Sequence, residues 1–177
     1  MIHQKRRQEL LSRLDDNALV IVCTNSEIQR NADVTFPFRP DSSFWYLIGF
    51  TEPDAIAVFS KSNYSIFLRP KDKTKEIWNG KRLGAEAAPT ALLADNAYSI
   101  DLFSEQLDTL IDDDTVIYYD NTSTNIMNAN ITSADDIKPL LPHLSEMRLI
   151  KDVREIENLQ TSANLAVRAH SQAMTSV

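Results

Sequence analysis

The segment from residue 30 to residue 50 constrains the fold of this chain more than any other part of the sequence. Its first part, residues 30–43, is charged and turn-forming, and Pro37 and Pro40 each force the preceding residue toward extended backbone. Its second part, residues 44–50, is a continuous apolar run with Gly49 near its end, which predicts a short buried strand. We therefore expect a polar loop that leads onto a core strand, and loops on rigid scaffolds often carry function. The alternative is a loop whose aromatic side chains only fill the core.

Length and composition indicate an ordinary soluble domain. The 177 residues are enough for one domain with room for an appendage, and a net charge of −7 disfavours nucleic acid as a partner. No apolar run is long enough to cross a bilayer, and no signal-peptide pattern follows the basic start, so we expect no membrane partner. The single Cys23 has no partner for an internal disulfide, which favours a cytoplasmic protein.

Apolar runs predict most of the strands. Residues 44–50, 55–59 and 64–68 follow one another with very short connections, which indicates antiparallel hairpins. Further strands are predicted at residues 18–23, 97–100 and 115–119.

Helical periodicity and turn residues predict the remaining elements. Short helices are predicted at residues 4–14, around 75–78, through residue 87, and after Asp101, which we expect to be an N-cap. The Asn-, Ser- and Thr-rich residues 120–133 predict a loop or a poor helix.

The last segment predicts one long helix. Asp152 and Glu155 have the spacing of a capping box, and apolar residues then recur at helical spacing up to Ala173. Because no glycine, proline or capping residue ends this pattern, we expect residues 151–177 to connect a domain at residues 1–150 to a further domain beyond Val177.

The usual catalytic signatures are absent from the sequence. The single cysteine and the scattered His3, His143 and His170 suggest no metal ligand set. The three glycines cannot form a phosphate-binding loop, and there is no Gly-x-Ser-x-Gly motif. We therefore expect no catalytic and no metal-binding residues, and a scaffold that touches a substrate without transforming it.

Four islands resemble the N-terminal domain of aminopeptidase P, the Xaa-Pro aminopeptidase branch of the pita-bread metallopeptidases, which also include prolidase and creatinase. Their order and spacing match over nearly the whole chain. The islands are residues 30–33 with 36–39 and 41–50, residues 52–55, residues 76–84 with 87–89, and residues 146–151.

This resemblance implies a fold and an activity. It implies an α/β domain, a ribonuclease H-like mixed β-sheet flanked by helices, that ends in a long connecting helix. It also implies a missing catalytic domain whose two divalent metal ions, commonly manganese, activate the water that cleaves the bond before proline. The chain itself would then hold no cofactor and be inactive alone. The expected partners are short proline-containing peptides and further copies of the chain in a dimer or tetramer.

The resemblance also assigns three substrate-binding residues. Trp78 of the Ile77-Trp78-Asn79-Gly80 motif resembles a tryptophan that a neighbouring subunit places at the active-site entrance, where proline packs on its indole face. Asp33 resembles an acid in a charged network at that entrance, and Arg39 is a further candidate. A core position for Trp78 and a turn cap for Asp33 are the alternatives, whereas Trp45 is expected to pack in the core.

Two other readings stay open at this stage. The first is the equivalent domain of a prolidase, which cleaves dipeptides. The second is a catalytically inactive module that binds peptides or proteins. The sequence beyond Val177 would separate them, because an enzyme needs the metal ligands there.

Overall fold

A computed structural model describes residues 2–119 and 137–176 of the chain. In this part the strands are β1 (Ala18–Cys23), β2 (Gln29–Asn31), β3 (Val34–Thr35), β4 (Ile56–Phe59), β5 (Tyr64–Leu68), β6 (Asn96–Ser99), β7 (Val116–Tyr119) and β8 (Ile137–Pro139). The α-helices are α1 (Ile2–Leu11), α2 (Ser42–Ile48), α3 (Lys73–Asn79), α4 (Gly84–Leu92), α5 (Phe103–Asp108), α6 (Leu141–Met147) and α7 (Val153–Thr175). The loop or poor helix predicted at residues 120–133 lies outside the described residues.

Within the described residues, six strands form one mixed sheet in the order β6-β5-β4-β1-β7-β8. β1 lies inside this sheet, antiparallel to β4 and parallel to β7, and all six of its residues are buried. A continuous apolar run is what a strand covered on both faces requires. The α/β fold class and this strand were both predicted from the sequence, and both predictions are confirmed.

One face of the sheet packs beneath α5. Ile21, Val58 and Phe67 belong to a buried cluster there, and Phe103 and Leu107 of α5 close it. The Phe103 ring meets the Phe67 ring edge to face at 5.1 Å between centroids. This aromatic contact fixes the position of a helix that is only six residues long.

The predicted strand at residues 44–50 is wrong, because most of this run forms α2. The Asp41 carboxylate caps the helix by accepting hydrogen bonds from the N–H groups of Ser43 and Phe44, and Gly49 ends it in the left-handed conformation at φ 72°. An apolar run of seven residues fits a strand and a buried helix equally well, so these caps decide the outcome. Of the three strands expected to form hairpins, only β4 and β5 pair as one.

Two further predictions are corrected. Trp45 is 45% exposed on the outer side of α2 and meets the His3 ring edge to face, so it is not a core residue. Asp101 does not cap α5, because it lies inside a short 3-10 helix, Ile100–Leu102, that precedes it. The Asp101 carboxylate instead accepts a hydrogen bond from the Ser99 hydroxyl.

The chain divides into two compact units, Met1–Leu144 and Ser145–Val177. The second unit contains α7, whose predicted capping box is confirmed: Asp152 accepts from the Glu155 N–H, and Glu155 accepts from the Asp152 N–H, each at 2.9 Å. No described residue of α7 is buried. The helix is therefore defined by its cap and its local propensity.

Candidate functional site

The helix α3 presents two large apolar side chains to solvent. Trp78 is 83% exposed and its neighbour Ile77 is 76% exposed. Side chains of this size contribute most to stability when they are buried, so their exposure side by side indicates a contact surface. In the described part of the chain, Trp78 is not the core plug that was considered as its alternative role.

Polar contacts fix the start of α3. Asp72 accepts hydrogen bonds from the N–H groups of Thr74 and Lys75 at 3.0 and 3.1 Å. The bond from the Lys75 N–H is the main cause that lowers the pKa of Asp72 below its ordinary value. The carboxylate therefore stays ionised, and keeps capping the helix, at a lower pH than an ordinary aspartate would.

A second set of polar contacts fixes the loop that follows Trp78. Glu52, in the turn before β4, accepts a hydrogen bond from the Leu83 N–H at 2.7 Å. Glu76 accepts from the Arg82 N–H at 3.2 Å, and the Arg82 guanidinium donates to the Pro70 carbonyl at 2.7 Å. Trp78 thus extends from a helix whose two ends are both held by hydrogen bonds.

Asp33 lies on a different element. It is exposed in the two-residue turn that joins β2 to β3, next to Ala32, whose φ of 47° is unusual for a residue other than glycine. An exposed carboxylate at the tip of a hairpin is accessible to a peptide or to another chain.

Arg39 lines a shallow groove of about 280 Å³ next to the start of α2. Its guanidinium donates to the Ser42 hydroxyl at 3.4 Å, and Phe36 contributes an apolar wall to the groove. No hydrogen bond or ion pair among residues 2–119 and 137–176 joins Trp78, Asp33 and Arg39 to one another. The structure therefore places the three predicted residues on three separate elements.

The sequence did not lead us to expect a charged cluster around Arg69, directly after β5. Arg69, with only 17% of its side chain exposed, pairs with Glu27 at 3.0 Å and lies 3.9 Å from Asp54. Nor did the sequence lead us to expect that Glu52 would bind the Leu83 backbone, since Glu52 was interpreted only as part of a turn and of one island. The available signal was the position of these charges directly beside buried strands, where an ionised side chain needs a partner.

The described residues contain no group of three or more His, Cys, Asp or Glu side chains placed to hold a metal ion. The side chains present there do not fit a two-metal centre. None of the helices in residues 2–119 and 137–176 combines the length and the apolar character needed to cross a membrane.

The chain is thus a mixed α/β domain with an exposed tryptophan on a short helix that hydrogen bonds hold at both ends. The sequence profile of the aminopeptidase P N-terminal domain matches residues 3–118. The chain therefore belongs to the aminopeptidase P N-terminal domain family, and the resemblance noted in the sequence is confirmed.

Individual relatives agree with this family. The chain is 36% identical over 179 residues to the Xaa-Pro aminopeptidase of Haemophilus influenzae, a match that covers 97% of this chain and 42% of that protein. It is 34% identical over 191 residues to the Xaa-Pro aminopeptidase of Escherichia coli, with 97% and 43% covered. The chain thus spans less than half the length of these relatives.

Solved structures share the fold. The low-pH form of E. coli aminopeptidase P superposes with a TM-score of 0.90 at 31% identity, over 98% of this chain and 44% of that one. Proline aminopeptidase P II from Yersinia pestis gives a TM-score of 0.88 at 33% identity, with 98% and 44% covered.

Proposed function

We propose that this chain is the non-catalytic N-terminal domain of a metal-dependent Xaa-Pro aminopeptidase, which removes the N-terminal residue that precedes proline in a peptide. The family match and the two relatives of 36% and 34% identity support this proposal. In it, residues 1–150 form the domain, and residues 151–177 lead to a catalytic domain. The single buried Cys23 is consistent with a cytoplasmic location.

The two divalent metal ions of the enzyme, which we expect to be manganese, would then be bound by residues of the catalytic domain and not by this chain. The proposal predicts that the chain alone hydrolyses no peptide and binds no manganese in the micromolar range. Isothermal titration calorimetry with manganese chloride tests the second part. A micromolar site on the chain alone would contradict it.

Within this proposal, the observation that carries most weight is the exposed indole of Trp78 on an anchored helix. The flat apolar ring of proline packs well on an aromatic face, and the contact removes apolar surface of both groups from water. Because α3 is held at both ends, the backbone that carries the indole loses little conformational freedom when this contact forms.

Asp33 and Arg39 supply charge beside the same access route in this proposal. A short peptide carries an ammonium group at one end and a carboxylate at the other. The exposed Asp33 carboxylate suits the ammonium group, and the exposed Arg39 guanidinium suits the carboxylate. We further propose that the chain acts in a homodimer or homotetramer, where Trp78 of one subunit faces the substrate of its neighbour. An exposed Trp78–Ile77 pair suits such a shared surface.

The experiment is Trp78→Ala in the full-length enzyme, assayed on a proline-containing tripeptide. We expect kcat/KM to fall about tenfold, the loss of one aromatic contact of about 1–1.5 kcal/mol. Trp78→Phe should keep most of the activity, and Lys75→Ala on the same helix should keep all of it. Metal content and melting temperature should be unchanged, since Trp78 is not buried. Unchanged kinetics in Trp78→Ala would contradict the proposal.

A further inference from the structure

The helix α3 has no hydrophobic packing of its own to orient it. None of its residues is buried, and a helix of seven residues is too short to be stable in isolation. The direction in which Trp78 points must therefore be set by contacts at the ends of the helix. Asp72 supplies these contacts at the start of α3.

At the other end, the most distant contact in sequence comes from Glu52. Its Oε1 accepts the Leu83 N–H at 2.7 Å, across 31 positions, and so ties the loop after Trp78 to the turn before β4. β4 is a fully buried strand of the sheet, so this turn is a rigid point of attachment. Glu76 closes the loop on α3 itself, and the Arg82 guanidinium makes a second link to the sheet through the Pro70 carbonyl, two residues after β5, whereas Glu52 holds the loop by its backbone at Leu83.

The second carboxylate oxygen of Glu52 has no hydrogen-bond donor among the described residues. This oxygen, Oε2, is buried. A buried carboxylate oxygen without a hydrogen-bond donor lowers stability, so this position carries a cost that a residue without the second oxygen would not. Departures of this kind from the rules of stable packing are concentrated at functional positions.

We propose that Glu52 is a positioning residue for Trp78. Its carboxylate holds Leu83, which fixes the loop at residues 80–84 and with it the end of α3 that carries the indole. The kinetic part of this inference rests on the proposed function of Trp78, whereas the structural part does not.

The structural part is tested by ¹⁵N relaxation of the Trp78 backbone amide in this chain. In the parent we expect an order parameter of about 0.85, and in Glu52→Ala a value below about 0.6. Glu52→Gln should stay near the parent, because the amide oxygen accepts the same N–H. Glu86→Ala is the matched control, since it removes a carboxylate that is 91% exposed and pairs with Lys71. An unchanged order parameter in Glu52→Ala would overturn the inference.

A second variant keeps the test decisive if Glu52→Ala does not fold. Leu83→Pro removes the donor of the same hydrogen bond, and the Leu83 φ of −61° is one that proline adopts. We expect Trp78 to become mobile in Leu83→Pro and to remain ordered in Glu52→Gln. A rigid Trp78 in Leu83→Pro would overturn the inference.

The kinetic part is tested by a double-mutant cycle in the full-length enzyme. Glu52→Ala should lower kcat/KM for the tripeptide about fivefold, mainly through KM, and should add nothing in a Trp78→Ala background. An equal loss in both backgrounds would show that Glu52 acts independently of Trp78 and would overturn the inference. If Trp78→Ala alone has no effect, the proposed function fails while the relaxation result still decides the structural part.

Discussion

The helices α2 and α3 are built from the same local signals but are used differently. Each has seven residues and one tryptophan, begins after an aspartate that accepts two backbone hydrogen bonds, and ends at a glycine with positive φ. Five residues of α2 are buried, whereas no residue of α3 is. Capping residues therefore determine where a helix begins and ends, and the side chains between the caps determine whether it joins the core or presents a surface.

The C-terminal ends of the two helices are held by different side chains. Cationic side chains of α1 bind the C-terminal carbonyls of α2: Arg7 donates to the Leu47 carbonyl at 3.0 Å and Arg6 to the Tyr46 carbonyl at 3.3 Å. This arrangement complements the negative end of the helix dipole. After α3, the following loop is instead held by the Glu52 and Glu76 carboxylates and by the Arg82 guanidinium. The helix α2 is thus packed into the core, whereas α3 stays exposed and is held by hydrogen bonds at its ends.

The largest expected difference between the helices is in the effect of truncating one apolar side chain on stability. Phe44 of α2 is fully buried, so Phe44→Ala should lower the free energy of unfolding by about 3–5 kcal/mol. The matched change Ile77→Ala on α3 should alter it by less than about 0.5 kcal/mol. Chemical denaturation of the chain measures both, and equal effects would break the comparison.

The terminal glycines give the next largest difference. A Cβ on Gly49 would overlap the His3 imidazole and would hold a left-handed φ, so Gly49→Ala should cost at least about 2 kcal/mol. Gly80 also has a positive φ, but a Cβ there meets nothing. Because the end of α3 can relax locally, Gly80→Ala should cost less than about 1 kcal/mol in global stability. Thermal unfolding of the two variants tests this order.

The smallest expected effect is a local response of α3 to acid. Asp72 has a lowered pKa in the folded chain, so its contribution is present above its ordinary pKa and is lost as pH falls through the folded value. The amide resonances of Thr74 and Lys75 should therefore shift with a midpoint below the ordinary aspartate pKa.

Asp72→Asn is the control for this titration, because asparagine caps the helix without ionising. The shift should disappear in that variant. A midpoint at or above the ordinary aspartate value would show that Asp72 does not hold α3 as described.

Much of the fold could be predicted from the sequence, for reasons that particular residues show. β1 was predictable because a β-branched apolar run suits only a covered strand, and the start of α7 because Asp152 and Glu155 have capping-box spacing. α2 was not, because periodicity is uninformative over seven apolar residues and the caps at Asp41 and Gly49 were not weighed against it.

The candidate site divides in the same way. The exposure of Trp78 was favoured by its charged neighbours Glu76, Lys81 and Arg82. The role of Glu52 could not be predicted, because its hydrogen bond to Leu83 depends on how the sheet brings distant segments together. The substrate-binding roles of Trp78, Asp33 and Arg39 stay predictions.

The two tryptophans allow the most direct test of the account. Trp45→Ala and Trp78→Ala are made in the full-length enzyme and assayed on the same proline-containing tripeptide, together with their melting temperatures. The account predicts that Trp78→Ala loses about tenfold in kcat/KM at unchanged stability, and that Trp45→Ala loses stability at nearly unchanged kcat/KM. Full activity in Trp78→Ala, or an equal loss of activity in both variants, would contradict it.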